Sequence, residues 1–227
     1  MSVFAAIHTP SNPSDFAPRV VEYNRREFDF PRIVAEILHE PDLQSIVGAE
    51  YARFTRETDQ STIYHKSFYM QFEALMGDLY RRFVSHMSDR VFGDVEVYHQ
   101  AVPTFRVQFP NNLGVAEMHK DSDYRHQNGE LNFWVPLTPV WGSNTIWVEA
   151  SRGGHNYQPW TLKPGQVLVF DSVNWRHGNI TNTTGRARVS FDFRMIPAEK
   201  FIDAGEISVS AHKRMSVGDY WEATCQD

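Results

Sequence analysis

A single cysteine, Cys225, stands in a chain of 227 residues. An internal disulfide is therefore excluded, and a reducing, cytoplasmic setting is expected. No apolar run approaches the roughly 20 residues that a membrane span requires. The opening residues Met1, Ser2, Val3 and Phe4 lack a basic patch leading into an apolar stretch, so a secretory signal is not expected. Positive charge is also scarce: 22 Lys and Arg face 28 Asp and Glu, a net charge of −6 that offers no basic field for nucleic acid. Repeats, low-complexity stretches and linker-like segments are missing as well. What remains is one soluble domain large enough to bury a sizeable core. It has 16 Phe and 6 Trp, as suits broad β-sheets with ring-lined interiors.

Periodicity divides the chain. Residues 1–24, rich in Pro, Ser and Asn, read as an irregular lead-in. A short helix is expected over 31–39, opened by Pro31 and stopped by Pro41. The strongest helical pattern spans 67–92, where Phe68, Phe72, Met76, Leu79, Phe83 and Met87 recur at steps of three and four before Gly93. From Val95 the period shortens to that of strands, over 95–98, 104–109, 131–137, 145–149, 167–170 and 187–196. Helices followed by some eight short strands predict a mainly β protein, a helix-backed jelly roll. Its parts are a helical portion over 1–94, a jelly-roll core over 95–197 and an extension over 198–227 whose structure the pattern leaves open.

The most informative residues are His119 and Asp121. On an extended strand, residues two apart point to the same side and can grip one ion together. In a chain with 10 His and 28 acidic residues such a pair arises about once by chance, and alone it reads as a surface hydrogen-bonded pair. A second histidine, His177, follows another strand-like run. Two imidazoles and one carboxylate would form a face that leaves the opposite coordination positions open. Eleven residues beyond His177 comes Arg188, in a stretch where Arg188, Ser190, Asp192 and Arg194 share one strand face. An arginine with a hydroxyl two residues on can clamp a carboxylate. The same arginines can instead pair with Asp192 or Asp171 on a solvated face.

Taken in order, His119-x-Asp121, the distal His177 and Arg188-x-Ser190 resemble the Fe(II)- and 2-oxoglutarate-dependent dioxygenases across residues 104–197. Within that superfamily the chain is similar to the phytanoyl-hydroxylase-like branch and to related bacterial antibiotic-biosynthesis dioxygenases. The resemblance implies a double-stranded β-helix with the N-terminal helices packed on one sheet. It implies Fe(II) held by His119, Asp121 and His177, with O2 as co-reactant and 2-oxoglutarate as cosubstrate. Arg188, helped by Ser190, would take the distal carboxylate of 2-oxoglutarate, and Arg194 on the same face is the rival clamp. Asn132, and Gln108 or Arg106 from a neighbouring strand, are further candidates on the cosubstrate side. A carboxylate at position 121 favours hydroxylation, because halogenating relatives carry a small residue there. The expected reaction is hydroxylation of a C–H bond in a small polar metabolite or natural-product precursor, releasing succinate and CO2.

Substrate contacts are expected from Asp123 and Tyr124, in a polar segment over 120–129 that reads as a lid, and from Trp134 and Trp175. Three other readings compete. One keeps the cofactors but ends in desaturation, cyclisation or epimerisation. Another is a cupin-like metalloenzyme without 2-oxoglutarate, which has no need of Arg188-x-Ser190. The third is a jelly-roll binding module, which has no need of Asp121 together with His177. The remaining histidines, His8, His39, His65, His86, His99 and His212, have no metal-like spacing and read as surface or core residues.

Overall fold

The computed structural model describes residues 16–48, 61–113, 117–203, 205–208 and 213–224. Helix α1, Phe30–Leu38, has proline in its first turn. Its fixed φ suits that position, where the missing N–H goes unused. His39, at φ 56°, closes the helix in the left-handed region, and its backbone N–H returns to the carbonyls of Ala35 and Glu36. Helix α2, Ile63–Phe72, starts earlier than its periodicity predicts because Thr62 caps it, its side chain accepting the His65 N–H. A π turn over Glu73–Gly77 then leads into helix α3, Asp78–Val91. The long helical pattern is thus two helices in series. Gly93, at φ 63° with open space where a Cβ would stand, ends it.

The strands are β1 Arg19–Glu22, β2 Val97–Gln100, β3 Thr104–Gln108, β4 Leu131–Pro136 and β5 Trp147–Glu149, then β6 Tyr157–Pro159, β7 Gln166–Phe170, β8 His177–Gly178, β9 Arg188–Pro197 and β10 Trp221–Ala223. One sheet runs β1-β7-β4-β9-β2-β10, with β3 pairing β9 beside β2, and the other runs β6-β5-β8. Every strand pair is antiparallel. Strand β1 lies inside the supposed lead-in and pairs with β7, a correction to the sequence reading. The extension over 198–227 supplies β10, which adds to the edge of β2. Cys225, His8 and His212 lie outside the described residues.

Strand β9 positions the site. It is buried along all ten residues and sits between β4 on one side and β2 and β3 on the other. Its two faces do different work, as the alternation predicts. Phe191 and Phe193 look outward to the helices: Phe30 lies edge-on to Phe191 at 5.1 Å, and Tyr80 meets Phe193 at 5.5 Å. Phe68 of α2 stacks on Phe105 of β3 at 4.2 Å. Helices thus back the large sheet as expected, in a core dominated by aromatic rings. The opposite face of β9 carries Arg188, Ser190, Asp192 and Arg194, and all four are buried. Across the interior, Trp134, Leu168 and Phe170 of the large sheet pack with Ile146 and with Val148 of the small one. These contacts hold the two sheets face to face at one end of the cavity.

Candidate metal centre

The two predicted ligand segments meet through a backbone bridge. His119 and His177 exchange both N–H···O bonds, at 3.0 and 2.9 Å. The chain then turns at once, and Asp121 begins a 3-10 turn over Asp121–Tyr124. The expected extended His-x-Asp strand is therefore a one-residue bridge followed by a turn. The change brings both side chains to the same place by another route.

Each imidazole is fixed by its far nitrogen. His119 Nδ1 donates to the Glu117 carbonyl at 2.9 Å, and His177 Nδ1 donates to the Trp175 carbonyl at 3.1 Å. A neutral imidazole that donates from Nδ1 keeps the lone pair of Nε2 for a cation. Both Nε2 atoms lie 3.5 Å from Asp121 Oδ1. Donor atoms of all three residues fall within 4.8 Å of one another.

Asp121 divides its two oxygens. Oδ2 accepts from Ser172 Oγ at 2.7 Å and from Arg194 Nε and Nη2 at 3.0 and 2.7 Å. Oδ1 faces the imidazoles. Burial alone pushes the pKa of this carboxyl up, but the charge of the Arg194 guanidinium holds it well below the usual carboxylate range. Burial, and secondarily His119, lowers the His177 pKa to about 4. An anionic oxygen and two oriented imidazole nitrogens are the donors a divalent transition-metal ion takes, and they occupy one side only. The residues present fit such an ion.

The cavity beside these donors is lined by Arg106, Asn132, Trp134, Asn179, Arg188, Asp192 and Arg194 among others. Arg188 Nη1 donates to Asn179 Oδ1 at 2.6 Å, and its guanidinium carbon lies 5.8 Å from the centre of the Trp134 ring. Asn132 Oδ1 and Ser190 Oγ are buried and make no hydrogen bond among the described residues. Asn132, which lines the cavity beside the buried Arg188, suits a bound polar ligand, whereas Ser190 is not part of the lining.

Other candidates are placed differently from expectation. Arg194, the rival clamp, lines the cavity too, but its guanidinium is engaged by Asp121 and directed also at Asp192 and Gln100, so it supports the carboxylate. Gln108 sits opposite Arg188 in the β3–β9 register, but its amide donates to the Ile180 carbonyl, and it does not line the cavity. Asp123 is exposed and accepts the Lys120 N–H, stabilising the turn. Tyr124 sets its ring edge-on to His119 at 5.1 Å. Trp175 is partly buried against the inter-sheet cluster, outside the cavity lining, and serves His177 through its backbone carbonyl.

The expected lid over 120–129 is tied down. Buried His126 and Glu130 meet at 2.7 Å, and Asp121 N–H donates to the Ser172 carbonyl. Sequence reasoning missed Ser172 and Asn179 as parts of the site; Arg106 was expected as an alternative to Gln108, and Asp192 only as a partner for the arginines. Only Asn179, two residues after His177, and Asp192, on the Arg188 face, lay near a motif.

Comparison with known proteins settles the family. The chain is 36% identical over 204 residues to the streptomycin biosynthesis protein StrG of Streptomyces griseus, covering 89% of this chain and 96% of that relative. This chain belongs to the StrG family. No protein-family model matches it. Among solved structures, this StrG-family chain is similar to the non-heme monooxygenase ThoJ, with a TM-score of 0.53 and 16% identity over 83% of this chain and 78% of that one. It is also similar to EctD from S. alaskensis with 2-oxoglutarate and 5-hydroxyectoine, with a TM-score of 0.52 and 17% identity over 94% and 83%. At such identities the likeness carries the fold alone. The chain thus shares its fold with two non-haem oxygenases and its family with a protein of streptomycin biosynthesis.

Proposed function

We propose that this StrG-family chain is a non-haem Fe(II), 2-oxoglutarate- and O2-dependent oxygenase. Its reaction is hydroxylation of a C–H bond in a small polar metabolite or natural-product precursor, releasing succinate and CO2. The observation that carries the proposal is the convergence of two Nδ1-anchored imidazoles and one shared carboxylate on a cavity that holds a buried arginine. The paired sheets are read as the double-stranded β-helix of that superfamily. EctD, solved with 2-oxoglutarate, has the same overall fold and supports the choice of cosubstrate.

His119, Asp121 and His177 would hold the iron, which when bound supplies the one-electron and O2 chemistry. Arg194 and Ser172 keep Asp121 anionic and turned, with Oδ1 toward the imidazoles. Arg188, steadied by Asn179 and Trp134, is placed for the distal carboxylate of 2-oxoglutarate, with Ser190 Oγ and Asn132 as uncommitted hydrogen-bonding groups near it. The two-sheet interior shields the reacting C–H bond from water and holds it in one orientation. A carboxylate at position 121 supports hydroxylation, because it fills the place that halogenating relatives leave for chloride.

Uncoupled turnover tests the reading. Wild-type protein with Fe(II), O2 and 2-oxoglutarate should form succinate slowly without substrate, and His119→Ala should abolish it. Equal succinate from wild type and variant would refute the proposed centre.

A further inference from the structure

We infer that Arg176, clamped by Glu149, is a positioning residue for both metal histidines and fixes the spacing at which they present Nε2; this rests on the metal centre proposed above. The ligand segments have little structure of their own. Strand β8 is two residues long, and His119 meets it only through the one-residue bridge with His177. A single residue pair, even with both of its hydrogen bonds made, acts as a hinge. Each imidazole also takes its direction from a carbonyl two residues earlier, Glu117 for His119 and Trp175 for His177. A fixed spacing between the Nε2 atoms therefore requires that segments 117–119 and 175–177 be tied together at a second point.

Arg176 supplies that point. Its Nη1 donates to the Met118 carbonyl at 3.3 Å, so the residue beside one ligand reaches the residue beside the other. Arg176 is itself held. Its carbonyl accepts the Glu149 N–H at 3.0 Å, and its own N–H donates to Glu149 Oε2 at 3.1 Å. The first bond extends by one residue the ladder in which Val148 stands opposite His177, and the second uses a side chain where that ladder ends. Glu149 is buried, and its oxygens also accept the N–H groups of Gly153 and His155, at 3.1 and 3.3 Å. Burial pushes the pKa of this carboxyl up, but the N–H groups of Arg176, Gly153 and His155 hold it below its ordinary value. An anion gripped by three backbone donors, on a strand that lies between β6 and β8, is a firm anchor. Rigidity thus passes from the small sheet through Glu149 and Arg176 to both ligand segments. Groups that orient metal ligands without touching the ion typically govern its affinity by about 10–100-fold.

The probe is Co(II), titrated into the metal-free full chain and followed by its visible ligand-field absorption, with thermal unfolding of the metal-free protein measured beside it. Arg176→Met and Glu149→Gln should each raise the Co(II) Kd by about tenfold or more and alter the ligand-field bands. Arg176→Lys, which keeps a donor for the Met118 carbonyl, should bind Co(II) more tightly than Arg176→Met. Should Glu149→Gln fail to fold, the two Arg176 variants carry the test, because their backbone bonds to Glu149 remain. A lowered Tm in Arg176→Met with Kd and bands as in wild type would show a merely structural role and overturn the inference. Equal Co(II) affinity in Arg176→Lys and Arg176→Met would overturn it too, since the bond to Met118 would then be immaterial. Failure of wild type to bind one equivalent of Co(II) would overturn the metal centre and this inference together.

Discussion

Asp121 is the residue on which the site turns, and its neighbours make specific demands. It is buried beside Arg194, whose pKa the Asp121 charge raises well above the ordinary arginine range against the effect of burial. Removing one partner of a buried pair strands the other charge, at a cost of about 3–5 kcal/mol. Urea unfolding of metal-free Arg194→Gln should show a loss of that size, and a loss under about 1 kcal/mol would mean that Asp121 finds another partner. Arg188 makes no contact with the three ligands in any described hydrogen bond. Arg188→Ala should therefore weaken 2-oxoglutarate at least tenfold by equilibrium titration and spare metal affinity, whereas Arg194→Gln should impair both. That His119, Asp121 and His177 converge, with Arg188 on the same cavity, was legible in the sequence because two of them sit at a spacing that chemistry recognises and the others follow in a fixed order. Ser172 was not, because it reaches Asp121 across 51 residues of chain and a hydroxyl carries no spacing signal.

At the scale of elements, alternation in 188–197 was enough to separate the polar face of β9 from the aromatic one. The structure keeps that division in every residue named. Phe193 touches Tyr80 at 5.5 Å and stacks with Phe133 at 5.0 Å, fully buried between α3 and β4. Phe193→Ala should cost about 3–5 kcal/mol in denaturant unfolding. Thr62→Ala, which removes the α2 cap, should cost about 1 kcal/mol in the same assay. Equal losses from the two would contradict the assignment of the aromatic face as the main support. Strands β8 and β1 escaped sequence reading for physical reasons. Two residues are too few to show a period, and the four of β1, two of them valine, are too short a run to stand out in a lead-in rich in Pro, Ser and Asn. The π turn that splits the long helix shifts the phase of the apolar stripe, so Tyr80 takes the fully buried place and the expected Leu79 is only partly buried.

For the whole molecule, acid stability follows from buried imidazoles. Burial lowers the pKa of His65 to about 3, and of His99 and His177 to about 4. Unfolded, each titrates near 6.5. The unfolded chain thus binds more protons below that pH, so stability is complete above about 6.5 and falls as the pH drops toward 4. Near pH 5 each histidine contributes a slope of about 1.4 kcal/mol per pH unit. Metal-free protein followed by thermal unfolding from pH 7.5 to 4.5 should lose Tm steeply below 6.5, and His99→Asn should flatten the slope by about one proton. An unchanged slope in that variant would show that His99 is not buried neutral. The helix-backed β architecture was readable from the switch in hydrophobic period at Val95. The sheet order was not, because strands pair far from their neighbours in sequence: β1 joins β7, β10 joins β2, and β9 joins β2, β3 and β4.

In the proposed centre, His119, Asp121 and His177 hold one iron on which 2-oxoglutarate chelates. Anaerobic titration of the full chain with Fe(II) and 2-oxoglutarate tests it directly, through the visible charge-transfer absorption of the chelate. Wild type should develop the band saturably, at one equivalent of iron, and the Asp121→Ala, His177→Ala double variant should not. No band in wild type, or a band of full strength in the double variant, would contradict the account.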